Sequence, residues 1–305
     1  MKDTLNIAQE SADKGEQIVS MLEQFGLFWN VNKVNLLTPD AEETAFYGTQ
    51  REDSRKVFAC VKNGYQVLQN WELAEMITDV AGKFDMGVAR GGLFNGGAKV
   101  YLQVDTGTLK GIGENNDTVK RYISALNSHD GSSSLSFGMT NETVSCANTF
   151  HRVHASIANK IRHTMSMKEK VDALIQEFTQ VKEAEKSLYE KFFALASREA
   201  TAEDIKQVVA MTTAVDLNVR ENDAKEMYSK NQVNKAKQLT TRISEEMAVK
   251  GQTLWGLFSG VTKYSNRDMS TPNRENATLE SKFLGSAGKM DNKVFDFLTA
   301  DMVTK

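Results

Sequence analysis

Proline is nearly absent from this sequence. The 305 residues contain two, Pro39 and Pro272, and none between them. Proline breaks helix interiors and strand ladders, so its absence marks a long uninterrupted body as the main folded unit. Cysteine is equally scarce, with only Cys60 and Cys146. Two distant cysteines make neither a disulfide framework nor a CxxC metal motif, which points to a reducing cytoplasm; no metal and no cofactor is expected. No apolar run approaches the roughly 18 residues that span a membrane. The N-terminal MKDTLNIAQESADKGEQ has no apolar signal-peptide core. Neither sign of charge dominates: 37 Lys and Arg face 40 Asp and Glu, a net charge of -3. That excludes a chain coated in basic residues and leaves local basic patches open.

What is present is ordinary globular material, 40% hydrophobic and 25% charged, enough to bury a sizeable core. Leu5, Ala8, Ala12, Ile18, Leu22 and Phe25 recur at helical spacing, and Gly26 stops that helix. Residues 27–39 alternate as a strand. AFYGTQ, KVFACV and YQVLQ are short β-type runs, the last two parted by KNG. NWELAEMITDVAGK reads as a helix capped by Asn70, and residues 91–113 as a glycine-rich segment followed by a strand that turns at 105–107. NTFHRVHASIANKIRH reads as helical. Residues 166–197 carry an apolar stripe at Val171, Leu174, Phe178, Val181, Leu188, Phe192 and Leu195, the mark of a long amphipathic helix. Thr201 and Asp204 form a capping box, and residues 221–249 are helical again. The expected class is α+β: a strand-rich N-terminal half with antiparallel hairpins and an inserted helix, followed by a long-helix C-terminal half. The expected segments are an N-terminal helix and strand (1–44), a mixed β-rich core (45–165), a helical region (166–265), and a polar arm with a short final helix (266–305).

One stretch carries unusual chemistry. NSHDGSSSLSFG (Asn127–Gly138) sets histidine and aspartate beside glycine and then four hydroxyls. Asp130–Gly131 between two alternating runs predicts a two-residue type I′ hairpin. Alternation then turns Leu126, Leu135 and Phe137 to the core, and Asn127, His129, Ser132, Ser134 and Ser136 to a small polar face that a phosphate backbone can approach. Adjacent His129 and Asp130 would point to opposite faces, and no GxSxG elbow is present, so hydrolase chemistry is disfavoured.

Other constellations are weaker. GGLFNGGAKV matches neither GxxxxGK[ST] nor GxGxxG and reads as a hairpin loop or bulge. His151 and His154 stand three apart on the expected helix, without a helpfully spaced carboxylate, and read as solvent-facing. Basic residues interleave with aromatics at Arg51, Arg55, Lys56, Lys62 and Tyr65, at Arg90 and Lys99, and at Lys120 and Arg121. Single-strand binders combine such charges with stacking rings.

KNGYQVLQNWE, SHDGSSSL, VSCANTF, IRHTMSMKEKV and TLWGLFSGVTKYSNR, in this order over residues 45–290, resemble the phage/plasmid-like family of unknown function (domain of unknown function 932). The resemblance implies a mobile-element origin and no established reaction. At the level of fold alone, the chain also resembles Rad52-like single-strand-annealing proteins. The leading expectation is therefore a non-catalytic nucleic-acid-binding protein, with single-stranded DNA as partner and self-association into a homo-oligomer. The alternatives are a phage protein-interaction or structural protein that binds a phage or host partner, and an uncharacterised enzyme.

Overall fold

A computed structural model of the chain describes residues 2–132, 135–145, 147–153, 167–269 and 277–302. The chain divides into two compact units, each discontinuous in sequence. The first holds residues 1–106, 122–138 and 153–181; the second holds 107–121, 139–152 and 182–305. The class is α+β, with two antiparallel sheets in the N-terminal half and mostly helices in the C-terminal half. The units do not follow the expected boundaries at 44, 165 and 265, because long strands and a long helix each run from one unit into the other.

The first unit begins with α1 (Lys2–Gln24). Gly26, in the left-handed region (φ +67°), ends it. Strands β1 (Val31–Leu37), β2 (Glu43–Arg51) and β3 (Val57–Lys62) form a three-stranded antiparallel sheet in the order β1-β2-β3. Helix α2 (Asn70–Gly82) follows. Its cap is Gln69, which shares a capping box with Glu72, not the expected Asn70. Asn70 instead turns its amide inward onto the carbonyls of Leu27 and Trp29.

Strands β4 (Val88–Phe94), β5 (Lys99–Ile112), β6 (Asp117–Ser128), β7 (Ser136–Thr143) and β8 (Thr149–Val153) form a second sheet in that order. GGLFNGGAKV is the tight β4–β5 connection, as its loop reading has it. The expected turn at 105–107 is absent: β5 continues to Ile112 and turns at 113–116. Thr149–Val153, expected as the start of a helix, is strand β8. Phe150 and Val153 fit a helical stripe, yet Thr, Phe and Val also suit a pleated ladder, and pairing in the sheet decides between them.

The second unit is built on an aromatic cluster. Helices α3 (Met167–Ser197), α7 (Leu254–Arg267) and α9 (Ser286–Leu298) supply Phe192, Trp255, Phe258 and Phe295. Phe150 of β8 lies 5.1 Å from Phe258 and 5.2 Å from Phe295, ring centre to ring centre, and Phe192 lies 5.1 Å from Trp255. Such pairs add about 0.5–1.5 kcal/mol each beyond their burial. Helices α4 (Ala202–Thr213), α5 (Glu221–Met227) and α6 (Lys230–Lys250) complete the region. The Thr201–Asp204 capping box is present, and a second box, Ser229–Gln232, divides the expected 221–249 helix into α5 and α6. The expected short final helix is present within α9, and the expected polar arm is helical over 277–284. Helix α8 (Ala277–Leu284) and α9 pack together, and α9 packs on α7. The fully buried Lys282 joins the fully buried Asp291 between α8 and α9. Burial pushes the Lys282 ammonium down and the Asp291 carboxyl up.

His151, expected in solvent, is buried. Its ring stacks on Phe283 at 3.9 Å, and its Nδ1 lies 2.8 Å from Thr140 Oγ1. Burial pushes its pKa down to about 3. The folded protein therefore refuses a proton that the unfolded chain accepts near pH 6.5, and stability falls as pH drops from 6.5 towards 3. We predict a loss of up to about 1.4 kcal/mol per pH unit in that window. Urea melts between pH 7 and pH 4 should show a shallower loss for His151→Gln; parallel curves would contradict the assignment.

Candidate nucleic-acid interface

The polar hairpin face does not exist as expected. From Tyr122 to Ser128 every residue of β6 is buried, on both faces. Asn127 donates to the Leu68 carbonyl (3.2 Å), and His129 Nε2 lies 2.9 Å from Asn70 Oδ1. Both residues are fully buried. The physical reason is that the segment around Leu68 and the start of α2 cover the face that alternation assigns to solvent. His129 also lies among rings, 5.5 Å from Trp29 and 6.3 Å from Phe58. Ser134 lies outside the described residues.

The turn is also of another kind. A type I′ turn needs positive φ at both central residues, and only Gly131 is left-handed (φ +68°). The His129 amide bonds the Ala98 carbonyl instead of pairing with Ser132. Asp130 organises the loop by accepting from Ser128 Oγ at 2.5 Å, Ser132 N at 2.9 Å and Lys99 Nζ at 2.8 Å. Partial burial pushes its carboxyl up, but these hydrogen bonds outweigh that and hold it well below the usual carboxylate range. Tyr65 donates to the Ser128 carbonyl, and its hydroxyl is pushed up to about 12 by burial and by the Asp130 charge.

Several expected cations also brace turns. Arg51 lies over the Trp29 ring at 4.2 Å, clasps Asp53 at 2.6 and 2.7 Å, and reaches the Gly96 carbonyl. Lys56 donates to the Asn95 carbonyl at 2.8 Å. Arg90 lies over Tyr122 at 4.5 Å. In the second unit, Arg121 lies over Tyr189 at 4.7 Å, while Lys120 is exposed. Arg55, Lys62 and Ser132 are exposed, and Ser136 is half-buried. Within the first unit, Asn127 and His129 are thus buried, and Arg51, Lys56 and Lys99 are held by neighbours.

A different surface in the first unit does present itself. In β2, Tyr47, Thr49 and Arg51 pair with Asn35, Lys33 and Val31. Val31, Thr49 and Val61 on this face are buried. The even-numbered residues point the other way. There Phe46 pairs with Lys62, Gly48 with Cys60 and Gln50 with Val57. Phe46 is 44% exposed and Val57 47% exposed. A Cβ on Gly48 would lie 3.2 Å from side-chain atoms of Val34, Leu36 and Val57, so these three converge over its bare backbone. The outcome is an apolar sheet face with one open aromatic ring, with Lys62 at its margin and Arg55 in the adjoining β2–β3 turn. Phe46, Val57 and Gly48 escaped the sequence reading. The alternation within AFYGTQ and KVFACV was visible, but which face remains open is a property of the assembled unit.

Among the described residues, no helix is long and apolar enough to cross a membrane, and no cluster of His, Cys, Asp and Glu is arranged to hold a metal. The family profile Domain of unknown function (DUF932) matches residues 57–284. That is more than half of the 305 residues, and the chain belongs to this family. No curated protein and no solved structure matches the chain.

Proposed function

We propose that this is a single-stranded nucleic-acid-binding protein of a mobile element, which holds or anneals single-stranded DNA as a homo-oligomer and without catalysis. The observation that carries this reading is the open face of the β1-β2-β3 sheet. Phe46 offers a stacking surface, Val34, Leu36 and Val57 offer apolar area, and Lys62 and Arg55 supply charge for phosphates. Base–aromatic stacking contributes about 1–3 kcal/mol per base and tolerates any sequence. The interleaved cations noted in the sequence support the reading less directly, since Arg51, Lys56 and Lys99 are held by neighbours.

Fluorescence anisotropy with a labelled oligothymidylate tests it. Phe46→Ala should weaken binding about tenfold, the equivalent of roughly 1.4 kcal/mol. Lys62→Ala should lower the slope of log K against log salt by about 0.7, one phosphate contact on a single strand. Both side chains are exposed, so circular dichroism should stay unchanged. Unaltered affinity and salt slope in both variants would reject the interface.

A second reading, a protein partner, is favoured by a cleft of about 800 Å³ in the second unit, lined by Val215, Leu217, Val233 and Ala236. Leu217 is partly exposed there. Binding of a nuclease-treated, purified partner with no affinity for oligonucleotide would support that reading over the first.

A further inference from the structure

We propose that a second pocket in the first unit binds an organic cation, a small ammonium compound with an apolar body. The pocket has a volume of about 680 Å³ and is lined by α1, the segment 27–30, the β2–β3 turn and α2. That volume lies within the roughly 300–1,000 Å³ typical of small-molecule sites. Leu22 and Leu27 give it a buried apolar floor, while Phe28 and Trp71 leave large rings in water, 58% and 48% exposed. Its charged lining residues are all acidic: Glu52, Asp53 and Glu75. Aromatic faces and carboxylates together select for cations, because a ring's negative face and a carboxylate both attract positive charge that has left bulk water.

The protein already uses this chemistry on itself. The Arg51 guanidinium lies 4.2 Å over Trp29, another lining residue, and is clasped by Asp53 at 2.6 and 2.7 Å. The other two carboxylates are engaged more loosely. Glu52 accepts from the Asn30 amide at 3.0 Å, and Lys14 stands 3.9 Å from Glu75 while bonding Asp79 at 2.5 Å. Glu52 and Glu75, beside the open rings of Phe28 and Trp71, are the groups left to meet a ligand's positive charge.

Trp29 and Trp71 line the pocket and are two of the three tryptophans in the chain, so intrinsic fluorescence reports occupancy. The full-length protein is titrated with benzyltrimethylammonium, and with benzenesulfonate as a probe of similar ring size and opposite charge. The expected result is saturable quenching by the cation and none by the anion. Glu52→Gln/Glu75→Gln, which preserves shape, should weaken cation binding at least fivefold, and Trp71→Ala should weaken it further. Absence of a saturable response to the cation, equal response to the sulfonate, or unchanged affinity in the double variant would each overturn the proposal. Circular dichroism of each variant separates loss of the pocket from loss of the fold.

Discussion

Asp117→Ala is expected to be the most destabilising single substitution in the second unit, lowering the melting temperature by about 10 °C or more. Asp117 is 4% exposed. One carboxylate oxygen accepts from Trp255 Nε1 at 2.9 Å and from Lys250 Nζ at 2.8 Å, and the other accepts from Ser145 at 3.0 Å. Lys250 has a side chain only 2% exposed, and its other carboxylate, Glu246, stands farther off at 3.5 Å. Removing Asp117 takes the nearest carboxylate from a buried ammonium and the acceptor from an indole N–H together. Breaking a buried pair in this way costs about 3–5 kcal/mol, a large fraction of the roughly 5–15 kcal/mol that holds a typical domain together. The charge can be separated from the hydrogen bonds. Asp117→Asn retains an acceptor and should fall between wild type and alanine, and adding Lys250→Met should recover part of the loss, since the buried positive charge is then gone. Calorimetry of the four proteins checks this. An unchanged melting temperature for Asp117→Ala would contradict the described network.

Gly260→Ala is expected to have a comparable effect by a different mechanism. Gly260 lies in α7 where it crosses α6, and a Cβ there would lie 2.3 Å from Ile243 Cα and 2.9 Å from the Arg242 carbonyl oxygen. These are backbone atoms of a neighbouring helix, so no side chain can rotate away and the two helices must part. Overpacking of this kind costs about 1–3 kcal/mol, and more where the backbone itself is the obstacle. Gly64, where an added Cβ would meet nothing within 4 Å, provides the control: Gly64→Ala should be near neutral. Equal melting temperatures for the two variants would show that α6 and α7 do not approach so closely.

Local features of this fold were largely legible in the sequence, and what covers them was not. The apolar spacing of NWELAEMITDVAGK marks α2, although its cap is Gln69 and not the expected Asn70, and Thr201 with Asp204 marks α4, because caps and periodicity act within a few residues. Asn127 and His129 show the limit. Alternation correctly separates them from Leu126, but parity assigns a residue to a face and says nothing of what lies over it. The start of α2, more than fifty residues earlier, closes that face through Asn70. The same limit hides Asp117, whose partners Lys250 and Trp255 lie far along the chain, and it led the stretch before the short final helix to be read as a polar arm, although Lys282 there is paired in the interior with Asp291. Thr149–Val153 failed for another reason: its residues satisfy both a helical stripe and a strand, and only the neighbouring ladder selects one.

The candidate interface follows the same logic. The cations that stood out in the sequence are those with nearby aromatic rings, and in the folded unit those rings often engage them, as Trp29 does Arg51 and Tyr122 does Arg90. The open surface lies instead around a glycine, Gly48, whose missing side chain lets Val34, Leu36 and Val57 converge. Photo-crosslinking of the wild-type protein to a 4-thiothymidine oligonucleotide, followed by peptide mass mapping, tests this central claim most directly. Crosslinks are expected within residues 32–62, with Phe46 foremost. Crosslinks confined to the second unit, or no complex at low salt, would contradict it.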